Sequence, residues 1–396
     1  MRQTATARLM RNVNRAAILD LVRQQGPIAR PEIARRLQLS LPTVMRIVDG
    51  LLADDLVRAE GRGEGLVGRP SALVHFNGSA YGVVGVDLGG TKMFGTLADL
   101  AGTIEHEVYM AHNATQGAAD DLLERLCALI EQLLSVPRPA GQRIRGIGVG
   151  APGFTRSEEG VVQWAPSLGW RDLPLKQILS ERFGLPVFVE NDVNLAALGE
   201  WGFGAGRGTR DLVCIAVGTG VGAGVIIDGA LYRGHHQAAG EVGYLLPGIE
   251  FLGWPGDGFG ALESQASGTG VAERARRRLQ QEGRAVPVDL TAEDVFAAAR
   301  EGEEWALDVV RVTVDYLSLA IANISALLDP ELIVLGGGVA RSADLLIAPI
   351  CERLRGALLF PPRLVASTLG YRAAVMGAIM MVLNGTTEHV VVNRRG

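Results

Sequence analysis

Apolar side chains near the start of the chain recur at helical spacing in three short runs. Ala17, Ile18, Leu21 and Val22 form the first, which stops at Gly26-Pro27. Ile33, Ala34 and Leu37 form the second, entered at Pro31. Val44, Ile47, Val48, Leu51 and Leu52 form the third, an i, i+3, i+4, i+7, i+8 stripe, with Ser40 placed to cap it and Pro42 tolerated in its first turn. Only Gln38-Leu39-Ser40 separates the second helix from the third, the tight connection of a helix-turn-helix unit. Leu56-Val57-Arg58 and Ala72-Leu73-Val74 then read as strands flanking the loop GRGEGLVGRPS, which predicts a wing. The pattern predicts a winged helix over residues 1–76.

The pattern changes after residue 80. Tyr81 to Asp87 is a strand that runs into Leu88-Gly89-Gly90-Thr91-Lys92 and on to a second strand at Met93 to Leu97. The same plan recurs with Leu212 to Val217, Gly218-Thr219-Gly220-Val221-Gly222 and Ala223 to Ile227. Such turns let backbone N–H groups approach phosphate oxygens, because no Cβ intervenes. GTGVGA also fits the dinucleotide pattern, but that pattern requires a following helix and GVIIDGALY reads as a strand. No Walker loop is present. A third turn, Gly336-Gly337-Gly338, lies between the strand Glu331 to Leu335 and a helix near Leu345, Leu346 and Ile350. It suits the ribose side of a nucleotide, and a plain helix-entry turn explains it equally well. Glu190-Asn191-Asp192-Val193-Asn194 follows the strand Val187 to Val189 and opens a helix at Leu195-Ala196-Ala197. Asp192 is there either a capping residue or, beside phosphate loops, a base for a substrate hydroxyl.

Charge sharpens the division. Residues 1–76 hold 12 Arg against 7 Asp and Glu, a balance of +5 within a chain of 396 residues whose net charge is −5, so the remainder carries −10. A basic end on an acidic body is the asymmetry expected when one end meets a polyanion. On the third helix Ser40, Thr43 and Arg46 would face base edges or phosphates, and Arg62 and Arg69 on the wing would enter a minor groove or grip phosphates. Arg23, Arg30, Arg35 and Arg36 would position the domain on the backbone. The competing reading is a small interaction domain with solvated helix faces. Cys127, Cys214 and Cys351 stand far apart, which predicts neither a disulfide framework nor a cysteine zinc site. No secretory signal or membrane span is read, and a cytoplasmic protein is expected.

DLGGTK, GVGAPG, ENDVNLAALGE, GTGVGAG, AGEVGY and LGGGVA follow one another in the order of the ROK family of repressors, open reading frames and kinases, and the resemblance runs over roughly residues 81–385. The winged helix with Gly68-Arg69-Pro70 resembles the domain carried by that family's repressors. The resemblance implies an α/β protein with two ribonuclease-H-like lobes of the actin and hexokinase type, one over 81–200 with part of 371–390 and the other over 201–370. It implies sugar binding by Gly153, Asn191, Asp192, Glu241, Tyr244 and Glu263, with Asp192 as general base in a kinase. It implies ATP binding by Asp87, Gly89, Gly90, Thr91, Lys92, Thr219, Gly220 and Gly337, with Mg²⁺ near Asp87. Lys92 is one of two lysines in the chain.

Two departures matter. The family's GExGH is Gly240-Glu241-Val242-Gly243-Tyr244 here, and its cysteine cluster is absent from LLPGIEFLGWPGDGFGALE. A tetrahedral zinc site needs four N, S or O donors, and this stretch supplies no Cys or His, so no structural zinc is expected. Packing among Tyr244, Phe251, Trp254 and Phe259 is the expected replacement. His235 and His236 are expected to point apart on a surface loop. The resulting expectation is a sugar-responsive regulator that binds operator DNA as a homodimer or homotetramer, with an ATP-dependent sugar kinase as the alternative.

Overall fold

The computed structural model describes residues 7–60, 72–111, 119–139, 141–254 and 260–386. It divides into two compact units, Met1–Glu190 with Ala378–Gly396 and Asn191–Gly377.

The first unit opens with α1 (Ala7–Gln25), β1 (Ile28–Ala29), α2 (Arg30–Arg36), α3 (Leu41–Ala53), β2 (Val57–Glu60) and β3 (Leu73–Phe76). The apolar stripes are the inner faces of these helices: Ile18, Val22, Ile33, Val44, Val48 and Leu51 are buried. Gln38 adopts φ +52 in the turn between α2 and α3, and Leu39 N–H donates to the Ala34 carbonyl at 3.0 Å, which holds the turn tight. β3 lies between β1 and β2, antiparallel to both. β1 is a strand that the apolar pattern does not reveal. The loop between β2 and β3, with Arg62 and Arg69, lies outside the described residues.

The same unit continues through β4 (Tyr81–Leu88), β5 (Lys92–Asp99), β6 (Ile104–Ala111), α4 (Ala119–Ser135), β7 (Arg143–Ala151), β8 (Phe154–Arg156), β9 (Val161–Ala165), β10 (Trp170–Leu173), α5 (Leu175–Phe183) and β11 (Val187–Asn191). Its five-stranded sheet runs β11-β7-β4-β5-β6, with β4 antiparallel to β5 and parallel to β7. β8, β9 and β10 form a small antiparallel sheet beside it in sequence. Leu126, Leu129, Ile130 and Leu133 of α4 cover the sheet's Val84, Val86 and Leu97.

The second unit begins with α6 (Asp192–Phe203), β12 (Leu212–Val217), β13 (Val221–Ile227) and β14 (Ala230–Tyr232). There follow α7 (Ala261–Ala266), α8 (Gly268–Gln281), α9 (Ala292–Arg300), α10 (Glu304–Leu328), β15 (Leu332–Gly336), α11 (Ala343–Leu354), β16 (Arg363–Ala366) and the start of α12 (Ala373–Thr386). Its sheet, β14-β13-β12-β15-β16, repeats the first plan: an antiparallel hairpin, then parallel neighbours reached by helical crossovers. The duplication read from the Gly-rich turns is therefore a duplication of whole sheets. Helix α10 is long and apolar enough to cross a membrane by length and composition. Its Trp305, Val309, Val314, Leu317 and Ile321 are buried in this unit's core, as in the core helix of a soluble domain.

The chain leaves the first unit at Glu190, not near residue 200 as expected, because α6 packs on β12 and β13. It returns within α12, at Ala378. Gly337 is followed by a 3-10 turn, 338–342, before α11, so the third Gly-rich turn does not open directly into an α-helix.

Candidate effector and DNA-binding sites

The sugar-site candidates of the second unit gather on one continuous layer. Asn191 is the N-cap of α6, its Oδ1 accepting the N–H groups of Val193 at 2.9 Å and Asn194 at 3.1 Å. The capping task thus falls to Asn191, while Asp192 occupies the first helical position with Oδ1 2.9 Å from the Val193 nitrogen. α6 lies close on β13, because a Cβ at Gly224 would collide with Ala197 and with the Val193 carbonyl. β13 in turn holds the next segment: Ala223 N–H donates to the Gly240 carbonyl at 2.7 Å, and Gly240 adopts φ +96 with no room for a Cβ against the Ala223 oxygen. That contact delivers Glu241, followed by a 3-10 turn at Val242–Tyr244. Helix α7 packs on the turn and carries Glu263, whose Oε2 accepts the Val221 N–H at 2.8 Å. Val221 is a backbone contributor that reading by residue type could not single out.

Electrostatics set these groups apart. Burial, then repulsion from Glu263, raises the Glu241 carboxyl above the ordinary range. Burial also raises Glu263, opposed by the backbone donors of Val221 and Gly260. Tyr244 is half exposed, and its phenol is pushed up by burial and by both glutamates. The layer therefore presents an amide, three carboxylates and a phenol, a set of acceptors and donors suited to vicinal hydroxyls.

The expected aromatic brace is only partly present. Phe251 and Trp254 are in contact at 5.5 Å between ring centroids, while Tyr244 joins no ring contact among the described residues and Phe259 lies outside them. His235 and His236 are exposed, but their rings meet edge to face at 4.5 Å. The segment turns at Gly234 and Gln237, both at positive φ, so the alternation of an extended strand does not apply.

The phosphate-loop candidates divide between the units. Thr219 and Gly220 lie in the turn from β12 to β13, which is tied to α8 by the Gly268 N–H on the Gly218 carbonyl at 2.7 Å and by the Thr269 hydroxyl on the Thr219 carbonyl at 3.1 Å. Gly337 follows β15 at φ +80 and presses on the Val217 carbonyl, so both turns stand at the same end of the parallel pair β12 and β15. A Cβ built at Gly218 or Gly338 would meet nothing within 4 Å, so the space beside both glycines is open. In the first unit, Gly89, Gly90 and Thr91 form the β4–β5 turn, closed by the Gly89 N–H on the Lys92 carbonyl at 2.8 Å. Asp87 is the next-to-last residue of β4, and burial raises its carboxyl to about 6 against a smaller opposing pull from Lys92. Gly153, at φ +81 between β7 and β8, belongs to this unit as well.

On the winged helix, Ser40 caps α3 and its hydroxyl shares a 2.8 Å hydrogen bond with Thr43. Arg46 is exposed on the same helix. Most of the arginines expected to lie on phosphates are engaged within the protein: Arg23 with Asp20, Arg30 with Asp49, Arg35 and Arg36 with Glu32. These pairs balance charge on the domain and leave Arg46 as the more available cation. A second contact went unread. Tyr81 donates its hydroxyl to the Asp54 carbonyl at 2.9 Å, just past the end of α3, and Arg143 donates to the same hydroxyl at 3.0 Å. The Arg145 guanidinium lies over the Tyr81 ring at 4.7 Å and donates to Thr386 at the end of α12.

The sequence profile of the ROK family matches residues 83–384. The chain belongs to the ROK family. A xylose repressor of Caldicellulosiruptor bescii is 29% identical over 95% of this chain and 96% of its own. A glucokinase of Halalkalibacterium halodurans is 38% identical over 76% of this chain and 93% of its own. A solved ROK family transcriptional regulator, described as a homologue of the E. coli MLC protein, is 27% identical and superposes with a TM-score of 0.82 over 96% of this chain and 97% of its own. The ROK region accounts for the duplicated sheets, and the likeness to repressors extends over nearly the whole chain.

The segment where the family's cysteine cluster would stand contains neither Cys nor His, and among the described residues no group of three or more His, Cys, Asp or Glu side chains is placed to share a metal. The donor set does not fit a structural zinc, and the loop that carries Glu241 is held instead by the Ala223–Gly240 and α7 contacts.

Proposed function

We propose that this protein is a sugar-responsive transcription regulator, a repressor of carbohydrate metabolism in the cytoplasm, whose winged helix binds operator DNA and whose ROK region holds the effector. The observation that carries the reading is the winged helix joined to a ROK region, a combination that the repressor relatives share over 95% of the chain, whereas the glucokinase relative matches 76%. Asn191, Asp192, Glu241 and Glu263 would hold vicinal hydroxyls of a monosaccharide, and Tyr244 would donate its phenol where the family has imidazole. The sugar named in a relative's description does not transfer automatically, because Tyr244 differs from His in reach and shape. Two-fold operators call for a homodimer or a homotetramer.

The test is calorimetric titration of a monosaccharide panel into the full chain, beside enrichment of duplexes from a random library. One sugar should bind to the wild type and fail to bind to Asp192→Asn, and a palindromic sequence should be enriched. Binding of no sugar together with no enriched sequence contradicts the reading.

One observation favours a kinase activity beside regulation: Asn191 caps α6, and Asp192 stands at the first helical position, directly after β11. Asp192 would accept the proton of a sugar hydroxyl as its oxygen attacks the γ-phosphorus and ADP leaves. Within the second unit, the Thr219–Gly220 and Gly337 turns, with open space at Gly218 and Gly338, would take a phosphate chain. ATP and Mg²⁺ would supply the phosphoryl group and neutralise its charge. ADP release across the same panel, abolished in Asp192→Asn, would establish it, and silence across the panel would leave the site to sensing alone.

A further inference from the structure

We propose that α3 selects its DNA by packing Leu41 and Met45 on thymine methyl groups, beside a guanine read by Arg46. The inference rests on the regulator reading and adds the base chemistry that the helix recognises.

The polar groups on the N-terminal end of α3 are partly engaged with one another. The Ser40 and Thr43 hydroxyls bond to each other at 2.8 Å, and Ser40 also accepts the Thr43 N–H at 3.4 Å. Pro42 has no N–H to offer. Two turns further on, Asp49 is paired with Arg30 at 2.8 Å. Beside them the helix exposes apolar and cationic side chains. Leu41 is 41% exposed and Met45 44% exposed, and Arg46 is exposed with no hydrogen bond or ion pair among the described residues.

The buried stripe of α3 is Val44, Ile47, Val48 and Leu51, and Leu41 and Met45 stand along its edge, 41% and 44% exposed. A single exposed apolar side chain needs no explanation. Two of them at i, i+4 are neighbours, with Cβ atoms roughly 5–6 Å apart. They lie at the end of the helix that a helix-turn-helix turns toward base edges. Thymine alone among the bases presents an apolar group in the major groove, its C5-methyl, and guanine presents the N7 and O6 pair that a guanidinium fork matches. Met45, unbranched and polarizable, can adapt to the methyl's position. The half-site that suits this face has adjacent thymines next to a guanine.

The experiment uses the full chain and a duplex enriched from a random library. Each thymidine of a half-site is replaced in turn by deoxyuridine, which removes only the methyl, and affinity is read by fluorescence anisotropy. Because the methyl lies in the major groove, wing contacts in the minor groove do not contribute. Affinity should fall roughly fourfold at the contacted positions, the effect of one buried methyl. Met45→Ala and Leu41→Ala, exposed positions that leave the core untouched, should each make one of those positions insensitive to the replacement. Arg46→Gln should relax the preference at the guanine. Tolerance of deoxyuridine at every position, or unchanged sensitivity in both alanine variants, overturns the proposal. If no sequence is enriched at all, the regulator reading fails first, an outcome distinct from enrichment without methyl dependence.

Discussion

Glu241 and Glu263 are carboxylates short of water and close enough to repel, and their folded-state pKa values lie above the ordinary 4.5. A raised carboxyl favours the fold when protonated. Its contribution is fully present below the ordinary value and is lost as pH rises through the raised one. Glu241→Gln removes a buried charge and its repulsion of Glu263, so the melting temperature at neutral pH should rise, with little change below about pH 4. Calorimetry at the two pH values checks this, and a shift independent of pH would contradict it. Gly240→Ala should act in the opposite direction. The φ of +96 and the neighbouring Ala223 oxygen leave no place for a methyl, so stability should fall by about 1–3 kcal/mol or more and sugar binding should be lost with the position of Glu241. At this scale the sequence displayed Asn191, Asp192, Glu241 and Glu263 through motif order, but not which of the first two caps the helix. Both have the same capping chemistry, and only backbone geometry separates them.

Elements with a wide apolar stripe were legible. The three helices of the winged helix and the strands around each Gly-rich turn follow directly from spacing that one buried face imposes. β1 was not, because Ile28 and Ala29 are two residues with no period and owe their pairing to β3. The bend at His235 and His236 was also hidden, since it depends on a positive φ at Gln237, a residue with no strong turn preference. Likewise the arginines of α1 and α2 looked like phosphate contacts in a count of charge, and their carboxylate partners became visible only once α2 was folded. For α3 itself, Ser40→Ala should cost about 1 kcal/mol through loss of the cap and of the Thr43 contact, measurable by denaturant unfolding. An unchanged midpoint would show that the 3.4 Å cap contact contributes nothing.

At the scale of the molecule, the end of α3 is tied within the first unit to Tyr81, Arg143 and Arg145, and Arg145 is tied to the end of α12. Helix α12 begins among residues of the second unit and ends in the first. Within the first unit, the end of α12 is linked through Arg145 and Tyr81 to the residues just past α3. Tyr81→Phe keeps the ring and removes the hydroxyl, so it should lower stability by about 1 kcal/mol, leave sugar affinity unchanged, and weaken the effect of sugar on DNA binding. Sugar regulation equal to wild type in that variant would show that this link does not carry it. The duplicated sheets were legible from two Gly-rich turns, but the passage of α6 into the second unit was not, since it depends on packing against β13 through Gly222 and Gly224.

The most direct test of the account measures both ends together: affinity of the full chain for its enriched duplex, by fluorescence anisotropy, with and without the sugar that calorimetry identifies. The sugar should shift the DNA affinity by roughly 5–150-fold, and Asp192→Asn should bind the same DNA without responding. A wild-type affinity that is the same at zero and saturating sugar would contradict it.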